Sequence, residues 1–176
     1  ADGSVLAVGA KENSASETKY HAGHVRVYEW HPGTGAWVQR GADLDGEHEQ
    51  DYSGSAIDLN DGGDTIAVGA YKNDGKGTDS GHVRVYKWTG VGITGSWKQM
   101  GIDLDGKAAY DNFGVSVDLS ADGHTLAVGA WGNDDGGQWA GQARIYTWDE
   151  ANVEWTQKGD ALNGEARWDH SGSSVD

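Results

Sequence analysis

The chain has no cysteine, one proline, one phenylalanine and one methionine among its 176 residues. Without cysteine there is no disulfide, no zinc–thiolate centre and no thiol nucleophile, and the redox compartment stays open. One proline against 29 glycines puts the turns on glycine-bearing hairpins rather than on proline-fixed ones. Basic side chains are scarce: 13 Lys and Arg stand against 28 Asp and Glu, a formal charge of -15. That balance excludes the basic patch that nucleic acid or an anionic membrane surface requires. No apolar run approaches the roughly 20 residues of a membrane-spanning helix. No 3.6-residue apolar period is sustained, so no long helix is expected. The sequence starts at Ala1 with no signal-peptide pattern and reads as mature, trimmed or a fragment.

What is present is a repeat. Ala-Val-Gly-Ala occurs at 7–10, 67–70 and 127–130, that is, 60 residues apart both times. A fixed period of this size, with strand-like segments inside each unit, means stacking of one small sheet. Val25/Val27 and Val83/Val85 alternate with polar neighbours, as a half-buried strand requires. Ile66-Ala67-Val68 reads as a fully buried strand. Asp2-Gly3 and Asp122-Gly123 supply hairpin turns. Four short strands per unit, separated by Gly-rich turns, define an all-β fold built of β-propeller blades.

The units are 51–110, 111–168 and a third that is circularly split, 1–50 plus 169–176, all in one domain spanning 1–176. The tail Ser171–Asp176 is expected to complete the sheet begun by Ser4–Ala10, in its own chain or in a partner's, which removes an unpaired edge. Three blades are too few for a ring of about four to eight. A six-bladed ring made by a homodimer is one way to close it, and excision from a longer chain is the other.

On these residues the chain resembles the FG-GAP repeats of integrin-α-like β-propellers. The Phe-Gly element is Phe113-Gly114, with Ser53-Gly54 and Ser171-Gly172 as looser copies. The Gly-Ala element is Gly9-Ala10, Gly69-Ala70 and Gly129-Ala130, with Lys11, Tyr71 and Trp131 where the family has proline. Gly23–Tyr28, Gly81–Tyr86 and Gly141–Tyr146 carry the Gly-x-Val-x-Val-Tyr ending. The resemblance implies an extracellular or cell-surface role in adhesion, with carbohydrate binding in some members and Ca²⁺ in Asp-rich hairpins. The matching hairpins, 58–64 and 118–123, are short of the alternating oxygens that a Ca²⁺ cage needs.

The candidate ligand-binding residues are Trp131, Trp139, Asn133, Asp134 and Asp135 in one loop, with Tyr71, Asn73 and Asp74 in its counterpart. An aromatic ring stacks on the apolar face of a sugar while carboxylate and amide bond its hydroxyls; the same aromatics also suit a loop folded onto its blade. Asp74, Asp134 and Asp135 are the candidate Ca²⁺ ligands, against a reading as solvated turns that cap their own backbone. Arg26, Arg84 and Arg144 recur at one position and are expected to pair with repeat-locked acids such as Asp58, Asp118 or Asp176. No nucleophile motif, phosphate loop or His triad is present, so no enzyme is expected. The function this supports is a non-enzymatic extracellular adhesion module that binds glycans through rim loops. The alternative is a structural protein–protein interaction subunit of a larger surface assembly.

Overall fold

A computed structural model describes residues 3–14 and 19–176. It is all-β, with no helix among the described residues and therefore none long and apolar enough to cross a membrane. The first sheet contains β1 (Val5–Ala10), β2 (His24–His31), β3 (Ala36–Gln39) and β4 (Leu44–Asp45). The second contains β5 (Ala56–Leu59), β6 (Thr65–Ala70), β7 (His82–Val91), β8 (Thr94–Gln99) and β9 (Leu104–Asp105). The third contains β10 (Phe113–Leu119), β11 (Thr125–Ala130), β12 (Gln142–Asp149), β13 (Glu154–Gln157) and β14 (Leu162–Asn163). In the second and third sheets an antiparallel meander runs β5-β6-β7-β8 and β10-β11-β12-β13. The outer strand is broken, and its second piece (β9, β14) pairs with the start of β7 or β12.

The sheets stack face to face, and the cores lie between them. Val25 and Val27 of the first sheet pack with Ile66, Val68, Trp88 and Trp97 of the second. Val83 and Val85 of the second pack with Phe113, Leu126, Val128 and Trp155 of the third. The Trp97 indole N–H donates to the Arg40 carbonyl, 2.9 Å away, and Trp155 donates to Met100, 3.1 Å away, so each outer strand is tied to the sheet before it. Glycine makes the inner approach possible. A Cβ on Gly69 would sit 2.1 Å from the Gly114 carbonyl oxygen, and one on Gly9 2.2 Å from that of Gly54. Gly-Ala recurs because backbone meets backbone there.

Among the described residues nothing covers the outer face of the first sheet. Leu6 and Val8 are each 45% exposed, and Trp30 and Trp37 are 39% and 43% exposed. Their counterparts Ile66, Val68, Trp88 and Trp97 are all buried.

Within this one chain the tail does not reach the first sheet. β1 pairs with β2 alone, and residues 169–176 do not complete its sheet within the chain. Instead Ser171 bridges Gly141 as Ser53 bridges Gly23, and the Gly172 carbonyl lies against Gly129 as that of Gly54 lies against Gly9. Each connection steps forward onto the next sheet position, so the tail begins a fourth position at the end of the stack farthest from β1.

Candidate functional site

At each junction, the linker leaving one sheet lies along that sheet's own long loop. Gln50, Tyr52 and Ser53 donate backbone N–H bonds to Tyr20, His21 and Ala22. Tyr110, Asn112 and Phe113 do the same to Thr78, Asp79 and Ser80, and Trp168, His170 and Ser171 to Gln138, Trp139 and Ala140. Three positions of this double layer have left-handed backbone in every copy: His21/Asp79/Trp139, Gln50/Tyr110/Trp168 and Tyr52/Asn112/His170, all with φ between 53° and 71°. For residues other than Gly, Asn or Asp this costs roughly 1–2 kcal/mol each. The third copy puts Trp, Trp and His there.

The result is an aromatic cluster. Trp131 and Trp139 have ring centroids 5.1 Å apart, Trp131 stacks on His170 at 5.1 Å, and Trp139 stacks on Trp168 at 5.6 Å. Trp168 is 50% exposed and Trp131 and Trp139 are half-buried. A second ring series runs along the first junction: Tyr20 on His21 at 3.7 Å, His21 to Tyr52 at 5.6 Å, and Tyr52 to Tyr71 at 5.9 Å. The expected residues Trp131, Trp139 and Tyr71 therefore belong to aromatic groups. Trp168, which like Trp131 and Trp139 falls outside the repeated Trp positions, joins them, as do His170, His21 and Tyr52, which carry no sequence signal because left-handed backbone at non-glycine positions leaves none.

The polar members of the two loops hold the loops together. Asn73 and Asn133 are buried; each side-chain amide donates to a buried aspartate (Asp51, Asp111) at 3.1 Å, and each carbonyl accepts a backbone N–H two residues on. Asp74 accepts the N–H of Asp79 at 2.8 Å and Asp134 that of Trp139 at 2.7 Å, fixing the left-handed residue. Asp135 pairs with Lys107 at 3.1 Å and accepts from Gln142 at 3.0 Å. Asp74, Asp134 and Asp135 are thus spread over two loops, each engaged with its own partners, and do not come together as one group. The Lys107 ammonium holds the Asp135 carboxyl below its ordinary value of 3.8. Its stabilising contribution is therefore present above that value and is lost as pH falls through the lower folded one. The variant D135N should be less stable than the parent by under about 1 kcal/mol at pH 7, with the gap closing in acid, as read by urea unfolding at several pH values.

The repeated arginines do not meet Asp58, Asp118 or Asp176. Arg84 lies opposite Val68, whereas Asp58 lies opposite Ala67, one residue out of step and so on the other face. Arg26 instead forms a forked pair with Asp43 at 3.0–3.1 Å. Arg84 reaches Asp103 at 3.2 Å and contacts Glu47. Asp118 is left with like charges: burial, then Asp58 and Asp176, push its carboxyl up.

A cleft of about 500 Å³ opens at the first junction, lined among others by Glu47, Glu49, Asp51, Asp74, His82, Asp103 and Asp105. Burial pushes the His82 imidazole down from its ordinary 6.5, against the opposing pull of Asp103. On sequence the Asp103/Asp105 pair reads as a cation site or a turn between blades, with the turn favoured by its loss at Ala161 and Asn163; the fold adds Glu47 and His82 to it.

With this geometry in place, comparison with known proteins gives one family match and one structural likeness. Residues 102–146 match the family model of the FG-GAP repeat. That span runs from before β9 into β12 and includes Phe113-Gly114 and Gly129-Ala130. Residues 102–146 thus carry an FG-GAP repeat, set in antiparallel sheets. Among solved structures it is similar to "the structure of Pseudomonas aeruginosa Periplasmic gluconolactonase, PpgL", at 14% identity and a TM-score of 0.48. That similarity covers 87% of this chain and 37% of the length of that one. No curated protein matches the chain.

Proposed function

We propose that this chain is a non-enzymatic recognition module acting outside the cell, and that it binds glycans through the Trp131, Trp139, Trp168 and His170 cluster. The supporting observation is the cluster itself: four rings held in contact on one edge, with Trp139, Trp168 and His170 all on left-handed backbone. Strain of this kind, carried by bulky aromatic residues, favours a role beyond folding. Exposed aromatic faces suit the C–H faces of a pyranose, and the extracellular setting is the one that an FG-GAP repeat suggests. Calorimetric titration with a panel of neutral and acidic oligosaccharides tests this. W139A is expected to weaken the best ligand on the order of tenfold, about 1.4 kcal/mol. Absence of binding by the parent chain to any of the panel would refute the glycan reading.

The open face of the first sheet favours a second element, a ring of six blades closed by a second copy. Three pairings support it. The tail lies where a first strand belongs and Leu6, Val8, Trp30 and Trp37 lack cover. Asp169, counterpart of Asp51 and Asp111, would receive Asn13 as those receive Asn73 and Asn133. Glu165, counterpart of Glu47, would meet His24 and Asp43 as Glu47 meets His82 and Asp103. Light scattering should give twice 18.7 kDa, and V8K, which puts a charge on the open face, should give the single mass. A parent chain that is monomeric at high concentration rules out this closure. The same face serves the protein-interaction reading, in which a different surface protein covers it.

A further inference from the structure

We propose that the cleft at the first junction binds a divalent cation of the Zn²⁺ type through the His82 imidazole and the carboxylates of Glu47 and Asp103, clipping the linker to the second sheet. One donor atom from each of these three residues lies within 4.8 Å of the others. A tetrahedral ion with ligands near 2.1 Å gathers donors to about 3.4 Å apart, a contraction that side-chain rotation supplies.

The ring of His82 is the central observation. It is 3% exposed, lines the cleft and makes no hydrogen bond; its nearest carboxylate oxygen, Asp103 Oδ2, is 3.6 Å from Nδ1. Nδ1 at that distance from Asp103 keeps a lone pair that faces the cleft and can be given to a metal. Charge points the same way. Six carboxylates line the cleft (Glu47, Glu49, Asp51, Asp74, Asp103, Asp105) and two cations face them, Arg84 on Glu47 and Asp103 and Lys76 on Asp105. Asp103 also accepts from Gln99, but a carboxylate offers about four lone-pair positions, so both acids can serve Arg84 and an ion.

The next junction shows what the same place looks like without a ligand. Lys107 stands for Glu47, Gln142 for His82, Ala161 for Asp103 and Asn163 for Asp105. There the network closes on itself. Gln142 donates to Asn163 at 2.6 Å and to Asp135 at 3.0 Å, accepts from Arg144 at 2.5 Å, and Lys107 neutralises Asp135. Phe113 fills that junction beside Arg144, 4.9 Å from ring centroid to guanidinium, where the first junction has Ser53. Four positions exchanging together, from ligand types to self-satisfied types, is what a shared ligand demands and what a merely solvated face does not. One imidazole with two carboxylates suits Zn²⁺ or Co²⁺, whereas Ca²⁺ wants six to eight oxygens.

All three ligands lie in one chain, so the site stands whether or not the ring closes. The test is equilibrium dialysis and thermal unfolding of the chelator-treated full chain with Zn²⁺ alone, with Ca²⁺ alone, and visible absorption with Co²⁺. H82Q and D103A each install the residue the third copy uses, and near-ultraviolet circular dichroism verifies that they fold. Each should lose one Zn²⁺ equivalent per chain, bind the ion at least tenfold more weakly and lose the Co²⁺ ligand-field band, while H124Q at an exposed histidine keeps all three. Unchanged Zn²⁺ stoichiometry in whichever of H82Q and D103A folds overturns the proposal. So does Ca²⁺ binding that displaces Zn²⁺ from the parent chain and survives in H82Q.

Discussion

Replacing Phe113 by alanine is expected to lower the free energy of unfolding by about 3–5 kcal/mol, measured by urea or guanidinium titration of tryptophan fluorescence. Phe113 is fully buried between the second and third sheets, opposite Ala130 on β11. Its ring meets Tyr146 edge-on at 6.2 Å and carries the Arg144 guanidinium on its face. Truncation removes the apolar area, leaves a cavity rimmed by Val83 and Leu126, and strips Arg144 of that contact. A domain stable by only about 5–15 kcal/mol loses a large fraction of its margin this way. Ser53 and Ser171 hold the matching positions elsewhere, so the ring is needed by this one junction and not by the repeat as such. A loss below about 1 kcal/mol would mean that the second and third sheets are not held together as described.

The second large effect is expected at Gly81, and it comes from backbone. Its φ is +75°, and a Cβ there would lie 2.1 Å from the Phe113 carbonyl oxygen and 2.6 Å from the Phe113 nitrogen. G81A therefore adds left-handed strain, about 1–2 kcal/mol, to overpacking of about 1–3 kcal/mol against atoms that cannot rotate away. Gly35 isolates the first contribution: its φ is +65° and nothing lies within 4 Å of a Cβ. G35A should cost only about 1 kcal/mol, and G81A roughly 2–5 kcal/mol, in the same denaturant experiment. Equal effects at the two positions would show that the linker does not press on Gly81.

Much of the architecture was readable from residues. The 60-residue spacing, the alternation in 24–28 and 82–86, and the Gly-Ala pairs led to three like sheets with buried central strands, and β6 is buried at all six positions. The arginine pairing was not readable, because one residue of register decides which face a side chain takes and the sequence does not state register. The roles of Asn73 and Asn133 were misplaced for a similar reason. An Asn beside an Asp in a Gly-rich loop looks like a ligand set until the loop folds, and only then do Asp51 and Asp111 arrive from a linker 22 residues away.

Local pattern determined the strands, the turns and the repeat, since side-chain period and glycine conformation act within a few residues. Everything that joins one repeat to another was decided by tertiary structure. The cleft around His82, the cluster of Trp131 with Trp168, and the docking of the tail beside Gly141 all depend on where a linker lies on a loop. That placement is fixed by backbone contacts between segments distant in the chain, which residue identity alone does not encode.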